Sequence, residues 1–311
     1  MNGMLLAAGR GDRMEPLSSL IAKPALEVLG APLLASGLRA LECAGCRRIV
    51  VNTHRHGDQV AHAARSVASV ATELIVSAEP ELLGSGGGIA AARRWFGGDD
   101  VLVANGDTWS DCDLSGLLAA GRGDEIVLAV VAHPDPVRWS SILVAADGTV
   151  EAIVPRGAVP SSRSFLFTGY QRIGAEVVAA LPAAPGEIGP VWEALRRRGR
   201  LRAVVIAGAW REAGSPATYR KLVLDLLAGG EWVHGRATVA PSARVANAAV
   251  GAGCRIGAGA VVSGSVVTAG AGIGPGAVVT DSVIAGPVEV AAGARLVGML
   301  QTPAGGFSLT A

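Results

Sequence analysis

Residues Leu5–Val28 read LLAAGRGDRMEPLSSLIAKPALEV. An apolar run stops at a Gly-Arg-Gly-Asp-Arg cluster, and a lysine follows fourteen residues after Gly9. Of the 27 basic residues in the chain, only Lys23 and Lys221 are lysines. A glycine-bearing loop after a strand offers backbone N–H groups to phosphate. Two standard templates for such a loop fail. Walker A needs a Gly-Lys-Ser/Thr ending, and five residues beyond Gly9 stands Met14; the dinucleotide fingerprint needs a third glycine where Met14 sits. What remains is a loop with N–H donors, two arginines and a distant lysine, which suits a triphosphate lying across the C-terminal edge of a parallel sheet. A compact ammonium on a flexible stem can follow charge between two phosphates, and a planar guanidinium cannot adopt the same geometry.

The elements that must position these residues alternate. Strand-like MLLAA is followed by a helical Pro32–Ala44 and the strand RIVVNT. A helical Asp58–Ser69, the strand ELIVSAE, a helical Ser85–Trp95 and the strand DVLVANGD come next. EIVLAVVAH and RLRAVVIAG add strands, AWREAG closes this part, and Pro216–Leu227 reads as a capping helix. This order predicts an α/β fold, a mainly parallel Rossmann-like sheet with helices on both faces. Two alternating runs flank Asp147-Gly148, a hairpin signal.

From Val239 the chain repeats every seventeen residues. Val239, Ile256, Ile273 and Val290 form one column; Val245, Val262, Val279 and Leu296 a second; Val250, Val267 and Ile284 a third, which ends at Gln301. Three short edges per row, each with one inward aliphatic, predict a triangular coil with small residues at its corners. This tail resembles the hexapeptide-repeat left-handed β-helix. The expected division is residues 1–230 for the α/β part and 231–311 for the coil.

Composition sets outer bounds. Net charge is +1, so no global field attracts nucleic acid or a membrane surface. The positive mean hydropathy, +0.42, comes largely from Ala and Val, and Gly and Pro break every long apolar run. The N-terminus lacks a basic region and a cleavable apolar core. Cys43 and Cys46 form a C-x-x-C with no partner pair, and small packing residues are the expected reading. No histidine pair has metal spacing. Asp113 precedes a helical LSGLLAA and reads as its cap. A protein of the reducing cytoplasm is expected.

LAAGRGDRMEPLSSLIAKPALEVLGAPLL resembles the signature of the sugar-1-phosphate nucleotidyltransferases, L-A-A-G-x-G-T-R-[LM]-x-P-L-T followed by P-K-P. Four further stretches are similar to that family in the same order: EPELLGSGGGIAAA to its base loop, VLVANGDTW to its metal strand, FLFTGYQRIGAEVVAALP to its sugar-side strand and helix, and WREAGSPATY to W-x-D-x-G-T-P-x-x-Y. The resemblance implies transfer of a nucleotidyl group from an NTP to a sugar 1-phosphate. The base loop and metal strand look nearest to N-acetylmuramate-1-phosphate uridylyltransferases, and the β-helix tail to mannose-1-phosphate guanylyltransferases. It implies that Gly9, Arg10, Gly11 and Arg13 hold the β- and γ-phosphates and that Lys23 bridges the α-phosphate and the sugar phosphate. Leu6 and Ala8 join the nucleotide site, and Gly86, Gly87 and Gly88 admit the base. Asn105, Gly106, Arg156, Thr168 and Gly169 belong to the sugar phosphate. Asp107 and Glu212 bind Mg2+, and Arg13, Lys23 and Asp107 are the catalytic set. A homo-oligomer is a further expectation.

The chemistry agrees with these residue types. A sugar-phosphate oxygen attacks the α-phosphorus in line and pyrophosphate leaves, so positioning and charge neutralisation carry the reaction. The departures are local. Glu212 stands where the family has Asp, and AIVPRGAVP stands where many relatives carry Glu-Lys. Arg156 replaces that lysine, and Glu187 is a candidate for the missing carboxylate. These departures motivate a second reading, a regulatory relative that binds sugar nucleotide without turnover; Arg13, Lys23 and Asp107 stand against it. An acyltransferase β-helix is disfavoured, because the chain from Val239 onward has no histidine.

Overall fold

A computed structural model describes residues 1–157 and 163–309. The chain forms two compact units interleaved in sequence: Met1–Arg10 with Leu34–Arg211, and Gly11–Leu33 with Glu212–Ala311.

The first unit is built on a nine-stranded sheet. Asn2–Leu6 lies at its centre, parallel to Arg48–Thr53 on one side and Val101–Asn105 on the other, with Glu73–Ala78 parallel beyond Arg48–Thr53. These strands are apolar on both faces because helices such as Ala35–Cys43, Gly57–Val67 and Gly84–Ala92 connect them. Met4, Val50, Val103 and Ile89 are fully buried in one core with Leu128, Ile173 and Phe96.

Direction changes at Ser164–Ile173. That strand runs antiparallel to Val101–Asn105, to Ile126–Ala132 and to Ser141–Val144. Ser141–Val144 and Val150–Val154 form the hairpin expected at Asp147-Gly148. Leu201–Val205 returns parallel to Ile126–Ala132. The sheet is therefore mixed, parallel where βα units feed it and antiparallel where hairpins do.

The register of Ser164–Ile173 slips between Phe167 and Gln171. Gly169 sits inside this irregularity with φ +92°. A Cβ there would lie 3.0 Å from the Asn105 Cβ on the neighbouring strand. Irregularities of this kind re-aim side chains beside functional sites. Gly169→Ala is expected to cost about 1–3 kcal/mol, from backbone strain at positive φ plus the crowding of Asn105. Urea denaturation of the full chain measures it.

The second unit holds three single-turn 3-10 segments at Asp12–Met14, Leu17–Ser19 and Lys23–Ala25, then the short antiparallel pair Glu27–Val28 and Ala31–Pro32. Helix Pro216–Leu227 starts on a Ser215/Thr218 capping box with proline in its first turn. The coil follows. Val239, Ile256, Ile273 and Val290 pair in one parallel sheet; Val245, Val262, Val279 and Leu296 in a second; Val250, Val267 and Ile284 in a third, which reaches Gln301. The stack starts one edge earlier than the sequence columns, at Trp232–Val233.

One corner explains why non-glycine residues fit the repeat. Asn247, Gly264, Asp281 and Gly298, spaced seventeen apart, all have positive φ, between 45° and 62°. Asn and Asp tolerate this left-handed region better than other side chains. The last edge, Met299–Thr302, folds back on Gly305–Ser308 as an antiparallel pair that covers the end of this sheet.

Candidate active site

The chain after Asn2–Leu6 turns from buried Ala7 and Ala8 to exposed Gly9 and Arg10. Val101–Asn105 ends alongside it, and the Gly106 N–H donates to the Leu6 carbonyl at 2.8 Å. Asp107, half-buried, therefore leaves the sheet next to the loop that starts at Ala7. Two adjacent parallel strands thus end together, the crevice position at which open α/β sheets bind ligands.

A buried polar chain fixes this edge. The Ala7 N–H donates to Asn52 Oδ1 at 2.8 Å, Asn52 Nδ2 to Glu79 Oε1 at 2.8 Å, and the Leu83 N–H to Glu79 Oε2 at 3.0 Å. Asn52 and Glu79 are 3% and 5% exposed. Neither was singled out from the sequence; the available signal was a polar residue ending each of the apolar runs RIVVNT and ELIVSAE. Buried and satisfied, the network ties the loop backbone at Ala7 to the start of helix Gly84–Ala92.

The glycines at 86–88 lie in that helix, packed closely on protein. A Cβ on Gly88 would lie 2.7 Å from Asn52 Nδ2, on Gly87 2.8 Å from the Ala184 carbonyl, and on Gly86 3.1 Å from the Gly186 carbonyl. Glu187 is engaged here too. Its Oε2 accepts from Ser85 Oγ at 2.5 Å and from the Ser85 N–H at 3.2 Å. The structure thus gives Glu187 a place at the start of this helix.

On the antiparallel side, Thr168 is fully buried and its hydroxyl donates to the Ala129 carbonyl at 2.8 Å. Its own carbonyl accepts from Trp210 Nε1 at 3.0 Å. Trp210 in turn meets Trp139 edge-to-face at 5.5 Å, with the Arg138 guanidinium 4.5 Å from the Trp139 ring centre. The Thr168 carbonyl thus holds Trp210, which packs edge-to-face on Trp139. Arg156 is exposed in the turn after Val150–Val154, and the neighbouring Gly157 N–H donates to the Pro136 carbonyl at 3.0 Å in the loop that carries Trp139. Asp113 accepts from the N–H and hydroxyl of Ser115, both at 2.9 Å, which holds its carboxyl below the usual range, so it serves the local turn. Cys46 is buried, its thiol pushed up to about 11 by that burial, whereas Cys43 is exposed.

The second unit carries the remaining cations. A Cβ on Gly11 would lie 3.2 Å from Ser18 Cβ and 3.7 Å from Lys23 Cβ. Lys23 is only 8% exposed, uncommon for an ammonium. Ser18 is 2% exposed, and its hydroxyl has no hydrogen-bond partner among the described residues. The buried Ser18 hydroxyl thus keeps hydrogen-bonding capacity that no described residue fills, and its Cβ and that of Lys23 both lie near Gly11. In the sequence, Ser18 stands where the family signature ends in threonine. Arg13 reaches outward, its side chain 74% exposed, and holds Glu212 Oε1 at 3.2 Å.

Gly214 makes room for that carboxylate, since a Cβ there would lie 2.6 Å from Glu212 Oε1. Gly214→Ala is expected to displace Glu212 from Arg13 and to lower turnover about tenfold with little change in melting temperature. Steady-state kinetics beside thermal melting separates the two effects.

Mg2+ takes one or two carboxylates and fills its other positions with phosphate oxygens and water. Asp107, in the first unit, and Glu212, in the second, are both carboxylates. Among the described residues no helix is long and apolar enough to cross a membrane.

With a glycine loop at the end of a central parallel strand, an aspartate leaving the adjacent strand and a buried lysine held beside the loop's continuation, the chain belongs to the nucleotidyl transferase family, whose model matches residues 2–227. Among its relatives, the N-acetylmuramate alpha-1-phosphate uridylyltransferase of Neisseria meningitidis serogroup B is 30% identical over 221 residues, 69% of this chain and 94% of that protein. The mannose-1-phosphate guanylyltransferase of Mycobacterium tuberculosis is 26% identical over 285 residues, 85% of this chain and 79% of that protein. In fold, the chain is similar to HddC from Yersinia pseudotuberculosis, with TM-score 0.62 and 23% identity across 72% of this chain and 99% of that one.

Proposed function

We propose that this chain transfers a nucleotidyl group from an NTP to a sugar 1-phosphate. A sugar-phosphate oxygen forms a bond to the α-phosphorus, the bond from the α-phosphorus to the bridging oxygen breaks, and an NDP-sugar and pyrophosphate result. The single observation that carries this reading is the buried Lys23, set beside Gly11 and the orphan Ser18 hydroxyl. A buried ammonium next to an unsatisfied donor is a place prepared for anionic oxygen. The names of the two relatives support uridylyl or guanylyl transfer to a sugar 1-phosphate.

The residues divide the work. Backbone N–H groups from Ala8 to Gly11, with Arg10 and Arg13, hold the β- and γ-phosphates, and Arg13 neutralises the leaving pyrophosphate. Lys23 draws the α-phosphate and the sugar phosphate together. Leu6, Ala8 and the glycines Gly86, Gly87 and Gly88 in the first turns of helix Gly84–Ala92 frame the nucleotide. Asn105, Gly106, Arg156, Thr168 and Gly169 frame the sugar phosphate, with Trp210 and Trp139 against the ring. Asp107 and Glu212 would hold Mg2+, which supplies charge neutralisation to the phosphate oxygens when bound. No protein nucleophile is needed, because positioning and electrostatics carry phosphoryl chemistry of this type.

The test is pyrophosphate release across a panel of NTPs and sugar 1-phosphates with Mg2+. Turnover with UTP or GTP and one sugar 1-phosphate is expected. No release with any pair would sink the proposal.

A further inference from the structure

We infer that the coil positions the cationic loop, with Tyr219 and Trp232 as positioning residues for NTP binding; this rests on the proposed reading of the Gly11–Lys23 segment. In sequence that segment follows the central strand of the sheet, yet Gly11–Leu33 clusters in one compact unit with helix Pro216–Leu227 and the coils.

Its anchors are specific. Tyr219, fully buried on the helix, donates its hydroxyl to the Glu27 carbonyl at 2.6 Å. Trp232, on the first edge of the coil, lies against the hairpin tip, its Cζ2 only 2.9 Å from where a Cβ on Gly30 would be. The Glu27 carboxylate reaches the next turn, with Oε2 3.2 Å from the Cβ position of Gly251. Burial raises that carboxyl against the pull of His234 and Arg236, which face it from the coil. Leu20 Cδ1 lies 3.8 Å from the Cβ position of Gly286.

Lys23 sits between these holds, with Leu20 on one side of it in sequence and Glu27–Gly30 on the other. The turn that carries it is short, the Leu26 N–H donating to the Lys23 carbonyl at 3.2 Å. Gly11 rests on Lys23 and Ser18, so a shift of this turn is passed to the start of the loop. The helix that supplies Tyr219 begins four residues after Glu212, the partner of Arg13. Both cations of the segment are thus referenced to one scaffold. Catalytic groups lose efficiency when displaced by as little as about 1 Å.

Triphosphate and monophosphate separate positioning from general damage. If the coil sets the cations, loosening it weakens capture of β- and γ-phosphates and leaves binding of the nucleoside monophosphate alone. Titration calorimetry on the full chain with UTP, GTP, UMP and GMP reads this without requiring turnover. Tyr219→Phe and Trp232→Ala are each expected to weaken NTP binding about five- to tenfold and NMP binding less than twofold. Trp232→Phe is expected to restore most of the loss. Lys221→Ala, on the exposed face of the same helix, controls for helix stability and is expected to match the parent.

Parent-like NTP binding by both Tyr219→Phe and Trp232→Ala would overturn the inference, as would equal weakening of NTP and NMP. A parent chain that binds NTP but releases no pyrophosphate with any sugar 1-phosphate would sink the transfer reaction while leaving the positioning result readable. A parent that binds no NTP would overturn both.

Discussion

Lys23→Arg is expected to lower kcat/KM about 100-fold or more while the melting temperature moves by only a few degrees. The charge is kept, so a role in bulk attraction predicts almost no change. Geometry predicts otherwise. Lys23 is 8% exposed, and its Cβ lies 3.7 Å from the Cβ position of Gly11. A guanidinium is planar and wider than an ammonium, and its donors are fixed in a fork. Under the proposed reading, that fork does not reproduce the contacts of a compact ammonium with two phosphates. Losing one preorganised donor to a developing charge costs about 2.7–4 kcal/mol, which corresponds to about 10²–10³ in rate. Lys23→Met removes charge as well as geometry and is expected to fall at least as far. Arg13→Lys provides the contrast. Arg13 is largely solvent-exposed, so its replacement keeps access and charge and is expected to lose about tenfold. Single-turnover kinetics with both substrates saturating isolates the chemical step. Equal rates for Lys23→Arg and the parent would remove the reason given for a lysine in an arginine-biased chain.

How far this was visible in the sequence follows from which forces are local. The coil was legible residue by residue because each inward aliphatic occupies a fixed place in a seventeen-residue period, and Val239, Ile256, Ile273 and Val290 do pair in register. Strands such as Arg48–Thr53 were legible because burial on both faces leaves a continuous apolar run. The reversal at Ser164–Ile173 was not, since strand direction depends on long-range pairing that periodicity does not encode. Site residues divide in the same way. Arg13, Lys23 and Asp107 stand out by charge in short motifs. Asn52 and Glu79 act through one another, and their meeting across separate strands leaves only an unremarked polar end on each run. Thr168 marks a further limit: the family resemblance implied a contact with the sugar phosphate, but its hydroxyl is held by Ala129 and its carbonyl by Trp210. The motif located the position, and the partner of each atom came only from the fold.

The second large effect concerns Asp107. Asp107→Asn keeps volume and most hydrogen-bonding capacity and removes one negative charge, and it is expected to lower kcat about 10³-fold at saturating NTP. Asp107 follows Gly106, whose N–H is held by the Leu6 carbonyl, so the residue lies just past the end of the strand. Under the proposed reading, without a divalent ion the Asp107 carboxylate repels the triphosphate, since charges of like sign at about 4 Å still interact appreciably at a protein surface. Asparagine relieves that repulsion. Metal-free NTP binding is therefore expected to tighten by a few-fold in Asp107→Asn, while the Mg2+ concentration needed for half-maximal turnover rises about tenfold or more. These opposite signs are the diagnostic. A residue that merely supported the loop would weaken binding with and without metal. A residue that worked only by hydrogen bonding would leave the Mg2+ requirement in place. Calorimetry in chelator and a Mg2+ titration of turnover measure the two quantities separately. Weaker metal-free binding in the variant would refute the placement of the Asp107 charge next to the phosphates.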